Sequence, residues 1–421
     1  MKVLILGSGG REHALAWKIS RSAALTGLWV LPGSEGIAEY AESLQGDPES
    51  PGTVVESARR IGADLVVVGP EAPLAAGVVD ALEANGIAAF GPRRDAARIE
   101  SSKVYAKELM VEAGIPTAPF AVFSDAESAL AHVAERTLPM VVKADGLAAG
   151  KGVTVARARE QAEDAVREAM IDGRFGEAGA QILVEDCLVG EELSLMAISD
   201  GEVVVPLQPA RDYKALRDGD EGPNTGGMGC VSPVPGCGED LVSRVCRDVL
   251  QPAVSAMARR GTPFRGLLYA GLMLTAEGPR VLEFNCRFGD PETQVVLPRM
   301  RSDLLPILAA SAGMRDDLED LGVKLEWSRD AAVCVVMASG GYPLSYETGF
   351  PIEGLDAVSP GGFVFHAGTA RDDEGWITSG GRVLGVTGLG PSIEEARDTA
   401  YDAVGRIAFP GAHFRSDVAA F

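Results

Sequence analysis

Several short apolar runs in this chain end in glycine and pass straight into helical pattern. Val3–Leu6 is followed by Gly7-Ser8-Gly9-Gly10 and a helical stretch to about Ile19. Leu65–Val68 ends at Gly69-Pro70, and Ala88–Phe90 ends at Gly91-Pro92. Continuous apolar strands alternating with helices predict a parallel sheet covered on both faces. Residues 1–101 are therefore expected to form a Rossmann-like α/β domain.

The pattern changes afterwards. A helix is expected from Ser102 to Ala113, where Gly114 and Pro116 stop it. A capping box, Ser124-x-x-Glu127, is expected to open a helix to about Arg136. Strand, loop and strand follow at Met140–Lys143, Ala144–Gly152 and Val153–Ala156. Further strands are expected over Ile182–Glu185, Glu192–Ile198, 267–274 and 280–286, with a helix over about 239–259. The Gly/Pro-rich stretch 217–238 is too long for a simple connector, so a functional or disordered loop is expected there. From residue 328, strands near 333–337, 362–366 and 383–387 precede a capping box, Ser392-x-x-Glu395, and a helix to about Ile407. That reads as a small α+β domain. With 421 residues, about 150 per domain allows three.

Composition narrows the function. Lys and Arg number 38 against 60 Asp and Glu, a net charge of −22. Nucleic acid or an anionic membrane would be repelled over most of such a surface. A small anionic ligand needs only a local basic pocket. No apolar run approaches the ~20 residues of a membrane span, and the run at residues 3–6 is too short for a signal peptide. Six cysteines without a CxxC spacing offer no zinc ribbon, and fit a reduced cytoplasm.

Five constellations could carry chemistry. Gly7-Ser-Gly-Gly-Arg-Glu12 joins a strand to a helix N-terminus, where backbone N–H groups attract anions. Glu12 stands where a dinucleotide fingerprint needs its third glycine, so the choice is a structural turn or a site for a phosphorylated small molecule. Lys143-Ala-Asp-Gly146-Leu-Ala-Ala-Gly150-Lys151-Gly152 fails the P-loop spacing and runs into a strand. It reads as a glycine hairpin, either incidental or closing over phosphates. Val281-Leu-Glu283-Phe-Asn285-Cys-Arg287-Phe-Gly-Asp290-Pro-Glu292 places Glu283, Asn285 and Arg287 on one strand face, with Phe284, Cys286 and Phe288 opposite. A carboxylate and an amide oxygen two residues apart suit Mg²⁺ shared with phosphates, and an arginine beside them suits phosphate or carboxylate. The alternative is a solvated edge strand. Asn224-Thr-Gly-Gly-Met-Gly229 could line an anion pocket with its amides, or be a mobile loop. The acidic pair Glu191-Glu192 after Val184–Gly190 could take ribose hydroxyls or face solvent. No Ser–His or Cys–His arrangement is evident among the four histidines, and His13 reads as a packing residue.

In this order, these segments resemble the ATP-grasp ligases. GSGGREHALAWK, VGPEAPLAAGVVD, KADGLAAGKGV, GPNTGGMG, LYAGLM, EFNCRFGDPETQ, GGYP and FHAGT narrow the resemblance to the phosphoribosylamine–glycine ligase family, from residue 1 to about 415. It implies an ATP-grasp fold with an N-terminal Rossmann-like domain over 1–101, an ATP-grasp domain over 102–327 with a lid subdomain at about 122–192, and the C-terminal α+β domain over 328–421. The family joins glycine to 5-phosphoribosylamine with ATP through glycyl phosphate, in purine synthesis. The resemblance implies that Lys103 and Lys143 hold ATP phosphates beneath Gly146, Gly150, Lys151 and Gly152. Glu185 and Leu188 would offer backbone groups to adenine, and Glu191 would take the ribose. Glu283 and Asn285 would bind Mg²⁺ or Mn²⁺. Arg287, Asp290, Pro291 and Glu292, with Asp212, Asn224, Thr225, Gly226, Gly227 and Met228, would surround glycine, the amine and the transferred phosphate. Arg287, Lys143 and Asp290 would be catalytic, and Gly9, Gly10, Arg11 and Glu71 would meet phosphoribosylamine. The family's usual Asp-His-Lys-Arg is here Asp212-Tyr213-Lys214-Ala215, so the roles carried over stop at Asp212 and Lys214. Loops 146–152 and 217–230 are the expected lids, and a cytoplasmic monofunctional monomer without nucleic-acid or membrane partners is expected. Two other readings remain at this point: another ATP-grasp ligase or carboxylase acting on bicarbonate or an amino acid, which would lack GPEAPL and GDPETQ, and a nucleotide-binding regulator that has lost catalysis, which would have no reason to keep Glu283, Asn285, Lys143 and Arg287 together.

Overall fold

A computed structural model describes residues 1–147, 152–314, 318, 325–358 and 361–421. The N-terminal sheet has five parallel strands in the order Glu42–Ser43, Gly27–Pro32, Lys2–Gly7, Leu65–Val68, Ala88–Phe90. Three of these are the apolar runs expected from the sequence. Val3 to Leu6 and Leu65 to Val67 are fully buried, as strands covered on both faces must be. The helix Gly10–Ile19 follows at once. Glu12 fills the turn before it: the Gly9 N–H donates to Glu12 Oε2 at 2.7 Å. A side chain at Gly69 would come within 2.2 Å of Glu12 Oε1, so glycine is required there. The carboxylate thus takes up part of the donor set that would otherwise meet a phosphate.

Next comes an antiparallel sheet in the order Phe120–Phe123, Ile182–Asp186, Met140–Ala144, Val153–Ala156. Its helices Ala126–Glu135 and Arg159–Met170 cover one face. Alternation decides what each face carries. Met140, Val142, Ile182 and Val184 pack into the helix-side core. Val141, Lys143, Leu183 and Glu185 therefore lie on the other face. The first of these helices is capped by Asp125, which accepts from Ser128 N at 2.8 Å. That corrects the expected Ser124–Glu127 box by one residue: the Asp125 carboxylate takes the orphan amide of Ser128.

A second antiparallel sheet, Val204–Pro206, Glu191–Asp200, Arg265–Thr275 and Gly278–Asn285, backs this unit. The expected helix over 239–259 is continuous but contains a wide π turn at Cys246–Leu250. The last large sheet runs Arg211–Asp212, Gly229–Ser232, Ala331–Ala338, Arg382–Gly390, Gly362–His366. It takes two strands from before residue 327. The stretch 217–238 is thus no free loop: it completes a hairpin, Ala215–Arg217 with Glu221–Asn224, and supplies the fully buried strand residues Cys230, Val231 and Ser232. Its Gly229–Cys230 end cannot be part of a lid, because those residues pair with Val335 and Cys334 inside the sheet. The final helix, Ile393–Val404, starts at Ser392 as expected, with Ser392 Oγ accepting from Glu395 N at 3.1 Å. Among the described residues no helix is long and apolar enough to cross a membrane, and all six cysteines are free thiols.

The N-terminal and C-terminal sheets meet through His13. It is buried, and its Nδ1 accepts from the backbone N–H of His366 at 2.9 Å. Burial, reinforced by His366, pushes His13 down to about 3, and burial with Arg371 pushes His366 down to about 4. Both rings stay neutral in the fold, so the unfolded chain takes up their protons first. Stability should therefore be complete above about pH 6.5 and fall as the pH drops from there towards 4, by at most about 1.4 kcal/mol per pH unit for each proton. Urea melts across this window should show that slope, and His13→Asn should reduce it.

Candidate active site

A cavity of about 420 Å³ opens where the three units converge. Its cap end is built from lysines. Lys103 begins the helix Lys103–Ala113 and donates to Gly146 O at 3.2 Å. The same helix places Lys107 one turn on, on the same side. Lys107 and Lys143 each pair with Glu185 at 3.1 Å, and all three side chains are nearly inaccessible. Lys143 also donates to Leu282 O at 3.0 Å, tying the cap sheet to the strand that carries Glu283. Burial outweighs Glu185 at Lys107 and lowers it to about 8. Glu185 Oε1 has no hydrogen-bond partner among the described residues. Gly146, Leu147 and Gly152 form the rim above.

The opposite wall is the end of the strand Gly278–Asn285 and the segment after it. Glu283, Asn285 and Arg287 all line the cavity, while Phe284, Cys286 and Phe288 are buried, as strand alternation predicts. Burial raises the Glu283 carboxyl, but Lys214, Lys143 and Lys103 outweigh it and hold it below its ordinary range. Gly271 is the residue opposite Glu283 on the neighbouring strand, so no second carboxylate stands there. No cluster of three or more His, Cys, Asp or Glu among the described residues could hold a metal ion alone. One ionised carboxylate and one amide oxygen fit a hard divalent cation that takes its remaining oxygens from phosphates and water.

Arg287 is the most heavily engaged group. Its guanidinium pairs with Glu71 at 3.2 Å and Glu100 at 3.1 Å, and reaches Phe288 O at 3.2 Å. Glu100 also accepts from Cys286 N at 2.7 Å. Burial raises Glu100 despite the arginine. At Glu71 burial acts the same way, but Arg287 and Arg11 prevail and keep that carboxyl low. Asp290 pairs with Arg382 at 2.8 Å and accepts from Gln294 at 2.6 Å. Glu292 accepts from Tyr269 at 2.7 Å and Ser194 at 3.0 Å. Asp212 is the exception: burial, with Glu292 nearby, pushes it well up, and its Oδ1 has no partner among the described residues.

Of the residues expected from the sequence, the cavity brings together Arg11, Glu71, Lys103, Lys143, Gly146, Gly152, Glu185, Asp212, Thr225, Gly226, Glu283, Asn285, Arg287, Asp290 and Glu292. Gly9, Gly10, Leu188, Glu191, Asn224, Gly227, Met228 and Pro291 do not line it. Gly9 is bonded to Glu12, and Gly10 packs on Gln294. Met228 is fully buried, and Gly227 lies against Pro291 and Asp212. Glu191 is largely exposed and paired with Arg211. Glu185 lies between Phe120 and Val141 of the flanking strands. Its peptide groups therefore belong to the sheet, and its side chain faces the cavity, which corrects the expected use of its backbone. Gly150 and Lys151 lie outside the described residues. Sequence reasoning missed Glu100, Lys107, Tyr269 and Arg382. Lys103 and Lys107 at i, i+4 were a readable signal; nothing local marks Glu100 or Arg382.

A lysine-lined cap sheet closing over a sheet that carries a Glu–Asn pair, beside a Rossmann-like domain, defines an ATP-grasp enzyme. Comparison with known proteins is narrower. Residues 1–100 match the N domain of phosphoribosylglycinamide synthetase, residues 101–293 its ATP-grasp (A) domain, and residues 332–421 its C domain. The phosphoribosylamine–glycine ligase of Streptomyces coelicolor is 51% identical over 100% of this chain and 99% of its own. That of Rhizobium meliloti is 50% identical over 99% and 98%. The crystal structure of the Thermotoga maritima phosphoribosylamine–glycine ligase superposes with a TM-score of 0.85 at 33% identity, covering 99% of this chain and 100% of that one. A biotin carboxylase domain from Hydrogenobacter thermophilus, solved with MgADP and bicarbonate, shares the fold alone: TM-score 0.72 at 16% identity, over 98% and 91%. The chain belongs to the phosphoribosylglycinamide synthetase (phosphoribosylamine–glycine ligase) family.

Removing Arg287 tests the charge balance. Arg287→Ala should leave Glu71 and Glu100 facing each other without a cation, at a cost on the order of 3–5 kcal/mol. Carboxylates raised in this way gain protons on folding, so the deficit should shrink as the pH falls towards 5. Thermal melts of both proteins at pH 7.5 and 5 check the sign.

Proposed function

We propose that this cavity joins glycine to 5-phosphoribosylamine with ATP, giving glycinamide ribonucleotide, ADP and phosphate, as in purine synthesis. The observation that carries it is the convergence in one cavity of cap lysines, a Glu–Asn pair and the Arg287–Asp290–Glu292 segment. Full-length similarity to ligases of that name supports it.

A carboxylate resists attack by an amine, because it is anionic and lacks a good leaving group. Phosphorylation removes both obstacles, so glycyl phosphate is the intermediate we propose. In that step the protein mainly positions the reactants and neutralises charge. Lys103 and Lys143 hold the phosphates at the cap end, beneath the rim residues Gly146, Leu147 and Gly152. Leu188, just past the strand Ile182–Asp186, offers its backbone to adenine, with Glu191 near the ribose. Glu283 and Asn285 would hold Mg²⁺ or Mn²⁺, which draws charge from the phosphate oxygens when bound. Asp212, with its unpartnered oxygen, and Glu292 receive the glycine ammonium. Arg287, fixed by Glu71 and Glu100, faces the transferred phosphoryl group. Arg11 and Glu71 meet the phosphoribosylamine. Among the described residues no His or Cys lines the cavity, in keeping with a route that needs no protein nucleophile. Glycyl phosphate hydrolyses, so closure of the cap sheet as a lid protects it.

The test is ADP release with ATP, Mg²⁺, fresh phosphoribosylamine and a series of amino acids. Release that needs both glycine and the amine, with the product mass of glycinamide ribonucleotide, is expected; release with another acid moves the substrate. Glu283→Gln removes one ligand charge at constant volume, so the fold should persist and activity fall by at least about 10²-fold. Normal turnover of that variant across a Mg²⁺ series would overturn the metal assignment.

A further inference from the structure

The C-terminal segment makes an unusual set of contacts for a chain end. Arg415 is 1% exposed, although it lies six residues from the last. Its Nη1 donates to Ala215 O at 3.2 Å and to Asp220 at 2.8 Å. Its Nε and Nη2 donate to the two oxygens of Asp417, both at 2.7 Å. Its guanidinium lies 5.1 Å from the centre of the Tyr213 ring. Around this cation the tail and the 213–220 hairpin exchange further bonds. Ala419 N donates to Tyr213 OH at 2.9 Å, Gly219 N to Asp417 at 2.8 Å and Ser416 N to Asp218 at 2.8 Å. Behind it, Tyr401 of the last helix donates to Arg415 O at 2.7 Å, and Arg397 donates to Ser416 O and Val418 O at 2.8 and 3.0 Å. The tail is therefore anchored at one side and grips the hairpin at the other.

What it grips matters. Contacts alternate along residues 212–215. Tyr213 and Ala215 meet the tail, whereas Asp212 and Lys214 line the cavity. Pairing with Cys230 holds Asp212 from one side, but the outer hairpin strand gives no cover from the other: Glu221 to Asn224 are all exposed. Tyr213 and Ala215 engage the tail through a ring, a hydroxyl and a carbonyl. We propose that residues 413–419 form a clasp that sets the position of Asp212 and Lys214, with Arg415 as its positioning residue. The inference rests on the assignment of Asp212 to the glycine ammonium.

Steady-state kinetics on the full-length enzyme tests it. Arg415→Ala should raise the KM for glycine about tenfold or more and leave kcat within about threefold. The Kd for ATP, measured calorimetrically, should be unchanged, because Lys103 and Lys143 belong to other elements. Arg415→Lys should restore part of the loss. Asp212→Asn is the reference. If it leaves the glycine KM unchanged, the ammonium assignment fails. If it raises that KM while folded Arg415→Ala does not, the clasp fails. Equal weakening of ATP and glycine would mean a merely structural role and also overturn the clasp. Should Arg415→Ala not fold, Tyr213→Phe removes only the hydroxyl that accepts from Ala419. A two- to threefold rise in glycine KM is then expected, and no change overturns the proposal.

Discussion

One buried cation holds the arrangement together. Arg287 lies just past the strand Gly278–Asn285 of the ATP-grasp sheet, yet its partners Glu71 and Glu100 come from the helices Glu71–Ala76 and Arg94–Ser101 of the N-terminal unit. A guanidinium presents fixed, planar donors, so it can serve two carboxylates and a carbonyl in one geometry. The backbone is tied at the same point, because Cys286 N–H and Arg287 share Glu100. The wall that carries Glu283 and Asn285 is therefore referenced to the domain that would present the amine. Buried ion pairs add little net stability; here the benefit is position.

The same logic repeats at the cap. Glu185 receives two lysines from different elements, and Lys143 also reaches Leu282 O on the opposite wall. Only one of the two Glu185 oxygens is used. Across the cavity, Asp290 is neutralised by Arg382 from the C-terminal sheet, which also donates to Gly226 O. Among the described residues, every strong charge lining the cavity except Asp212 and Glu283 thus has a salt-bridge or hydrogen-bond partner in the protein before substrate arrives. That explains how a chain of net charge −22 maintains a site for polyanions: local pairing, with cations gathered at the cap end, replaces a global positive field.

Much of the site was legible because its chemistry is local. Glu283 and Asn285 share a strand face by period two, Arg287 continues the alternation just past the strand end, and the buried Phe284, Cys286 and Phe288 follow from the same count. The glycine hairpin after Lys143 announced itself by failing the P-loop spacing. The Gly/Pro-rich stretch after Arg217 misled for a physical reason. Glycine and proline suppress a strand signal, but Gly229–Ser232 is a strand because neighbours bury it on both sides. In the same way, Glu185 looked like an exposed strand end and proved to be a central strand residue with a buried, charged side chain.

The amino-acid order by itself determined most of the succession of strands, turns and helices, the strand that carries the metal-type ligands, and the acidic charge balance. These depend on contacts within a few residues, or on composition. Only the tertiary structure decided that Arg287 meets Glu71 and Glu100, that Lys107 and Lys143 share Glu185, that Arg382 reaches Asp290, and that the chain end closes on Tyr213. Those partners are separated by tens to hundreds of residues. Which of many like-charged side chains meet is settled only when packed sheets bring them into a low-dielectric space, where an unpaired charge is too costly to leave.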